Sequence, residues 1–139
     1  MLITKHTVTT TASPKAIWSI WKDAAHWPTW DCELEEIILT GPFTKGATFR
    51  LKPKGGPWVK VIVADAVPEK SFLTLSQLPL TTISDDHYLE VKNGKTHVTH
   101  VIQMTGLLGW FFAFVIGRGM KKTLPGAMEQ LVKQAEKLS

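Results

Sequence analysis

Cysteine is nearly absent from this chain of 139 residues: Cys32 is the single one, so no internal disulfide can form. That excludes the disulfide-stapled secreted domains and fits a reducing compartment, with the cytoplasm as the expected location. Long hydrophobic runs are missing as well. The longest, Leu107 to Ile116, falls well short of the ~20 apolar residues that span a bilayer, and the first twelve residues lack the apolar stretch of a signal peptide. No stable membrane insertion is expected. Arginine is scarce, with only Arg50 and Arg118, and the basic residues form no stripe among exposed aromatics, which argues against nucleic-acid binding. There is no P-loop, nucleophile elbow, Ser-His-Asp order or His-x-x-x-His spacing. Lys52-Pro53-Lys54-Gly55-Gly56 lacks the spacing of a phosphate cradle and reads as a hairpin turn. No cofactor and no metal are therefore expected.

What remains is an ordinary globular composition, 44% hydrophobic and 20% charged with a net charge of +4. Residues 1–139 read as one domain, large enough to bury a core without staples. Leu2–Thr11 alternates and is rich in β-branched residues, as a strand requires. Ser13-Pro14 then supplies an N-cap and a proline at the first helical position. The helix carries Ile17, Trp18, Ile20 and Trp21 at helical spacing and ends near Asp23, followed by a short helical turn holding Trp27 and Trp30. Six β-rich runs fit 33–40, 47–54, 58–66, 71–78, 82–92 and 95–105, each bounded by turn residues. Connections this short make neighbouring strands antiparallel. The tail is helical again, with Leu124, Met128, Leu131, Ala135 and Leu138 on one face. Gly117 and Gly119 are expected to loosen the backbone between two helical pieces. The fold class is α+β: one seven-stranded antiparallel sheet, two short helices after the first strand, and a long C-terminal helix over a concave face.

Asn93-Gly94 is the strongest local signal, because both central positions of a type I′ turn need positive φ. That turn sets Lys92 opposite Lys95 and His87 opposite His100, with Leu89 facing Val98 and Asp85 facing Ile102. Parity places Asp85, His87, Leu89 and Val91 on one face with Thr96, Val98, His100, Ile102 and Met104, the apolar side of the hairpin. Two imidazoles then stand about 5 Å apart at Cβ. Four readings of the pair are open: two neutral histidines bonded within the core, polar anchors in a greasy ligand site, a metal site, or a proton-transfer pair. A metal would need a third ligand, which only Asp85 or another strand could supply.

Aromatics are plentiful in two places. Trp18, Trp21, Trp27 and Trp30 crowd one short stretch: the first two fit helix packing, while Trp27 and Trp30, beside Pro28, are candidates to line a cavity. Trp110, Phe111, Phe112 and Phe114 cannot all face one way on a helix. They read as an apolar flap over a pocket, as core, or as a contact surface. Cys32 sits between Asp31 and Glu33, whose charges disfavour a reactive thiolate.

Several runs resemble one known family. Ala12-Ser13-Pro14-x-x-Ile17-Trp18 with Asp23 and Trp27-x-x-Trp30, then Phe43-x-x-Gly46-x-x-Phe49, is similar to the opening and middle of the START-like, birch-allergen-like superfamily SRPBCC. Gly94-x-Thr96-x-Val98-Thr99-His100 and Leu124-Pro125-Gly126-Ala127-x-x-x-Leu131-x-x-x-Ala135-Glu136 resemble its polyketide cyclase/dehydrase branch. The resemblance covers the whole chain and implies a helix-grip fold, a sheet wrapped round the C-terminal helix with an elongated apolar cavity between them. Family members bind lipids, sterols, polyketides, quinones or hormones, and a few catalyse cyclisation, dehydration or hydrolysis. No characterised catalytic set maps onto this chain, so whether it is an enzyme stays open. The expected partner is a hydrophobic small molecule enclosed by Trp27, Trp30, Leu89, Met104, Trp110, Phe111 and Phe114, its polar end met by His87 and His100. The alternatives are a cyclase, dehydratase or hydrolase acting on a carbonyl-bearing substrate through the two histidines, with Tyr88 or Asp85 assisting if the register shifts, or an interaction domain like the superfamily's chaperone activators, using residues 107–116. A monomer or weak homodimer is expected.

Overall fold

In a computed structural model, which describes residues 1–138, the chain runs β1 (Leu2–Thr10), α1 (Pro14–Trp21), a 3-10 segment (Ala24–Thr29), then β2 (Leu34–Ile38), β3 (Thr48–Pro53), β4 (Val59–Val67), β5 (Ser71–Leu78), β6 (Thr81–Lys92) and β7 (Lys95–Thr105). α2 (Gly109–Phe112), a π-helical turn (Ala113–Gly117) and α3 (Arg118–Leu138) complete it. The strands form one antiparallel sheet in the order β1-β7-β6-β5-β4-β3-β2. Six strands are thus a simple meander, and β1 closes the far edge beside the last of them. The connection from β1 across to β2 carries α1 and the 3-10 segment over one face of the sheet.

Local chemistry explains each boundary. The Ser13 side chain accepts a hydrogen bond from the Ala16 amide, and Pro14 opens α1 where a missing N–H costs nothing. Asn93 and Gly94 both adopt positive φ, and the hairpin pairs Lys92 with Lys95 as the turn type demands. A bulge in β4 between Val63 and Asp65 changes the phase of that strand. It lets Val61 and Val63 face inward at one end while Ala66 still meets Phe72 at the other.

α3 buries Leu124, Ala127, Met128, Leu131, Val132 and Ala135, and it packs against β1 and α1. Thr10 Oγ1 donates to Glu136 Oε2 at 2.6 Å, and Gln134 Nε2 donates to the Thr29 carbonyl at 3.2 Å. Leu138, expected on the inner face, is exposed because the helix has run past its cover. Gly117 and Gly119 do not separate two helices. The backbone stays helical from Gly109 to Leu138, and the mismatch between its ends is absorbed by the π turn. Gly117 is needed there for another reason: a Cβ on it would crowd the Ile3 side chain of β1 at 3.3 Å.

Candidate functional site

The inner face of the sheet carries a row of side chains running across four strands. His6 on β1 pairs with His100 on β7, His100 with His87 on β6, and His87 with Phe72 on β5. Directly paired residues share a face, so three imidazoles and a phenyl ring stand side by side. His87 is 7% exposed, and its ring lies nearly parallel to that of Phe72, with centroids 3.9 Å apart and planes 11° off. His100 leans against the other side of His87 at 3.9 Å, and Trp21 from α1 meets His87 edge-on at 5.6 Å.

An aromatic layer covers this row. Trp27 stacks on Phe72 at 5.9 Å and donates from Nε1 to the Trp21 carbonyl at 2.9 Å. Phe43 packs edge-on against Phe72, and Phe49 packs edge-on against Trp27. The 3-10 geometry of Ala24–Thr29 places Trp27 inside this cluster and brings Trp30 alongside at 6.1 Å. Much of the space between α1, the 3-10 segment and the sheet is therefore occupied by rings.

Polar groups within this greasy layer are unevenly satisfied. His100 donates from Nε2 to Asp85 Oδ1 at 2.8 Å, with side chains 15% and 21% exposed. That bond orients the imidazole of His100 as a carboxylate orients a histidine base. His87 has no such partner, and its Nδ1 is buried with no hydrogen bond. Burial pushes its pKa well below the usual histidine range, and the neighbouring His100 pushes it further in the same direction. Backbone groups of Asp85 and Phe72 offset this only in part, without meeting Nδ1 at hydrogen-bonding geometry. His87 is therefore neutral. The indole Nε1 atoms of Trp21 and Trp30, and Thr81 Oγ1, are also buried without partners.

Asp31 joins the group from outside the sheet. Its backbone amide donates to the Trp27 carbonyl, and its Oδ1 accepts from the Glu33 amide at 3.0 Å. Desolvation raises its pKa. The Glu33 amide and His100 pull it down, while Asp85 and Glu33 push it up. Asp31 therefore feels the charges of both His100 and Asp85. Among the described residues, no three His, Cys, Asp or Glu side chains are arranged to hold a metal ion.

The residues singled out in the sequence divide in two. Trp27 and His87 pack on Phe72, Trp30 lies beside Trp27 and His100 beside His87, with Leu89 half-buried on the same face of β6 and Met104 buried on the same face of β7. Trp110, Phe111 and Phe114 point to solvent, at 65%, 43% and 65% exposure. Tyr88 lies on the opposite face of the sheet, across from Thr99. Asp31, His6, Phe72 and Trp21 complete the cluster without having been singled out for it. For Asp31 the available signal was its position directly after Trp30. For His6 there was none, because the pairing of β1 with β7 leaves no local trace.

This architecture, a seven-stranded antiparallel sheet gripping a C-terminal helix over a mostly apolar interior, defines a class. The chain belongs to the family described as polyketide cyclase / dehydrase and lipid transport, whose signature matches residues 1–136. Among solved structures it is similar to a START superfamily protein from Mycobacterium smegmatis (18% identity, TM-score 0.72, 98% of each chain). It is also similar to the di-domain aromatase/cyclase StfQ of the steffimycin biosynthetic pathway (10% identity, TM-score 0.79), covering 99% of this chain and 51% of that one. Ara h 8.0201 shares the fold at 9% identity and TM-score 0.70, over 96% of this chain and 97% of that one. No curated protein sequence matches the chain significantly.

Proposed function

We propose that the protein binds a hydrophobic small molecule, such as a lipid or polyketide, in the interior between the sheet and the C-terminal helix, with the His87/His100 row facing its polar end. The observation that carries this reading is the set of buried polar atoms that the fold leaves without hydrogen bonds: His87 Nδ1, Trp21 Nε1 and Trp30 Nε1. A buried polar group without a partner costs about 1–3 kcal/mol, and three in one aromatic layer is a heavy concentration. A ligand with a carbonyl or hydroxyl among apolar carbons supplies what these atoms lack. Ligand sites have this composition, mostly apolar walls with a few convergent polar groups. Trp30 is the natural movable wall, since it is only half-buried and its indole nitrogen is untethered.

Native mass spectrometry of the purified protein tests the reading, followed by titration with fatty acids, sterols and polycyclic aromatic ketones while Trp emission is recorded. A retained or titratable small molecule, bound more weakly by Trp30→Ala, is the expected result. A bare mass with no response to any of the three ligand classes overturns it. One observation favours a second reading, proton transfer on a carbonyl-bearing substrate: Asp85 holds His100 as a general base is held, beside the neutral His87.

A further inference from the structure

The helical segment after β7 is apolar on both sides. Its inner side, Phe112, Ala113, Ile116 and Met120, packs on the core. Its outer side presents Trp110, Phe111, Phe114 and Val115, which are 43–65% exposed. Packing of the fold explains the first set and not the second. Leu107, 78% exposed, stands in the loop that enters the segment, and the Leu108 amide bonds to the Leu80 carbonyl at 3.2 Å, bringing the β5–β6 turn alongside. Leu80 is itself 64% exposed and held at φ 50, a left-handed conformation that glycine or asparagine adopts far more easily. The Leu80 carbonyl holds Leu108, but the side chain, aimed at water, adds nothing to the packing of the fold.

Charge completes the pattern. Trp110, Phe114, Arg118 and Lys122 follow one another at four-residue spacing on the exposed side, and Arg118 lies over the Phe114 ring at 5.0 Å. Lys121 flanks them. No Asp or Glu occurs from Val91 to Met128, so the patch meets no acidic residue along its own stretch of chain. Among the described residues, no helix is long and apolar enough to cross a membrane.

We infer that this end of the molecule is a peripheral docking surface for anionic lipid membranes, with Leu80, Leu107, Trp110 and Phe114 entering the headgroup boundary and Arg118, Lys121 and Lys122 meeting lipid phosphates. Aromatic and leucine side chains beside a cationic band on a helix lying in the interface are what such binding needs. A second copy of the chain fits less well, because self-association through this patch would gather the same cations on both sides. The inference is independent of what the interior binds.

Co-sedimentation with phosphatidylcholine vesicles, with and without phosphatidylglycerol, tests it on three proteins: the unaltered chain, Trp110→Ser/Phe114→Ser and Lys121→Glu/Lys122→Glu. All changes are at exposed positions, and far-UV circular dichroism checks that the fold persists. The unaltered protein is expected to sediment with the anionic vesicles, to release at high salt, and to lose about tenfold or more in partitioning in each variant, since each cation contributes about fivefold. Absence from both vesicle pellets overturns the inference. So does equal binding to neutral vesicles, or unchanged binding by both variants. A dimer in sedimentation equilibrium that Trp110→Ser/Phe114→Ser dissolves, without vesicle binding, assigns the patch to a second copy instead.

Discussion

His100 donates a hydrogen bond from Nε2 to Asp85 Oδ1, diagonally across the hairpin at 2.8 Å, and not to His87, the residue directly opposite. The choice divides the two histidines chemically. A carboxylate acceptor aligns one imidazole, while the other, sandwiched between Phe72 and His100, is kept neutral.

The neutral His87 ties stability to pH. Its folded pKa lies well below its unfolded value of about 6.5. Between those two values the unfolded chain holds a proton that the folded chain refuses. Stability is therefore complete above about pH 6.5 and falls as pH drops toward the depressed folded value, by at most about 1.4 kcal/mol per pH unit for this one group. Urea unfolding at several pH values should show a steeper acid loss in the unaltered protein than in His87→Phe. Parallel pH profiles would refute the assignment.

Asp31 has the opposite sign. Its folded pKa is raised, so the folded state holds that proton more tightly than the unfolded one, and stability is lost as pH rises from about 4 through the raised folded value. Asp31→Asn keeps an oxygen for the Glu33 amide and removes the charge. It should stabilise the protein at neutral pH, by about 1 kcal/mol or less because water still reaches a half-buried carboxylate. Thermal melts at pH 7 check this, and a lowered Tm would contradict it.

His100→Gln distinguishes carrier from enzyme. A carrier should keep its affinity within about tenfold, roughly 1.4 kcal/mol. An enzyme that needs a titrating base should lose turnover by about 10²–10⁴. Once a ligand is found, calorimetry and product analysis on the same variant read both quantities.

Gly106 and Leu80 form a tight corner. A Cβ on Gly106, at φ 107, would lie 2.3 Å from the Leu80 carbonyl oxygen, a backbone atom that cannot step aside. Gly106→Ala should cost more than about 2 kcal/mol in urea unfolding. Leu80→Asn should instead gain a few tenths to about 1 kcal/mol by relieving the positive φ. A neutral Gly106→Ala would mean that the corner is looser than this geometry.

Local codes carried much of the fold. Ser13-Pro14 starts α1, Asn93-Gly94 turns the hairpin, and the strand periods place six meander strands to within two residues of their observed ends. The opposition of His87 and His100 follows from the turn alone, because a two-residue turn dictates every pair down the ladder. What escaped were relations with no local encoding. Cys32 drew attention to Asp31 as a charged neighbour, yet only folding brings Asp31 near His100 and Asp85.

The sequence by itself therefore determined the elements, their antiparallel order and the register of the one hairpin whose turn dictates it. Those properties depend on side chains a few residues apart. The tertiary structure decided that β1 would lie beside β7 and extend the pair of imidazoles with His6. It also decided that the aromatic layer would bury His87 Nδ1 without a hydrogen bond, and that one side of the 107–116 segment would be left to solvent. Each of these depends on which surfaces cover which, and burial of a side chain is settled by the whole packed chain rather than by its neighbours in sequence.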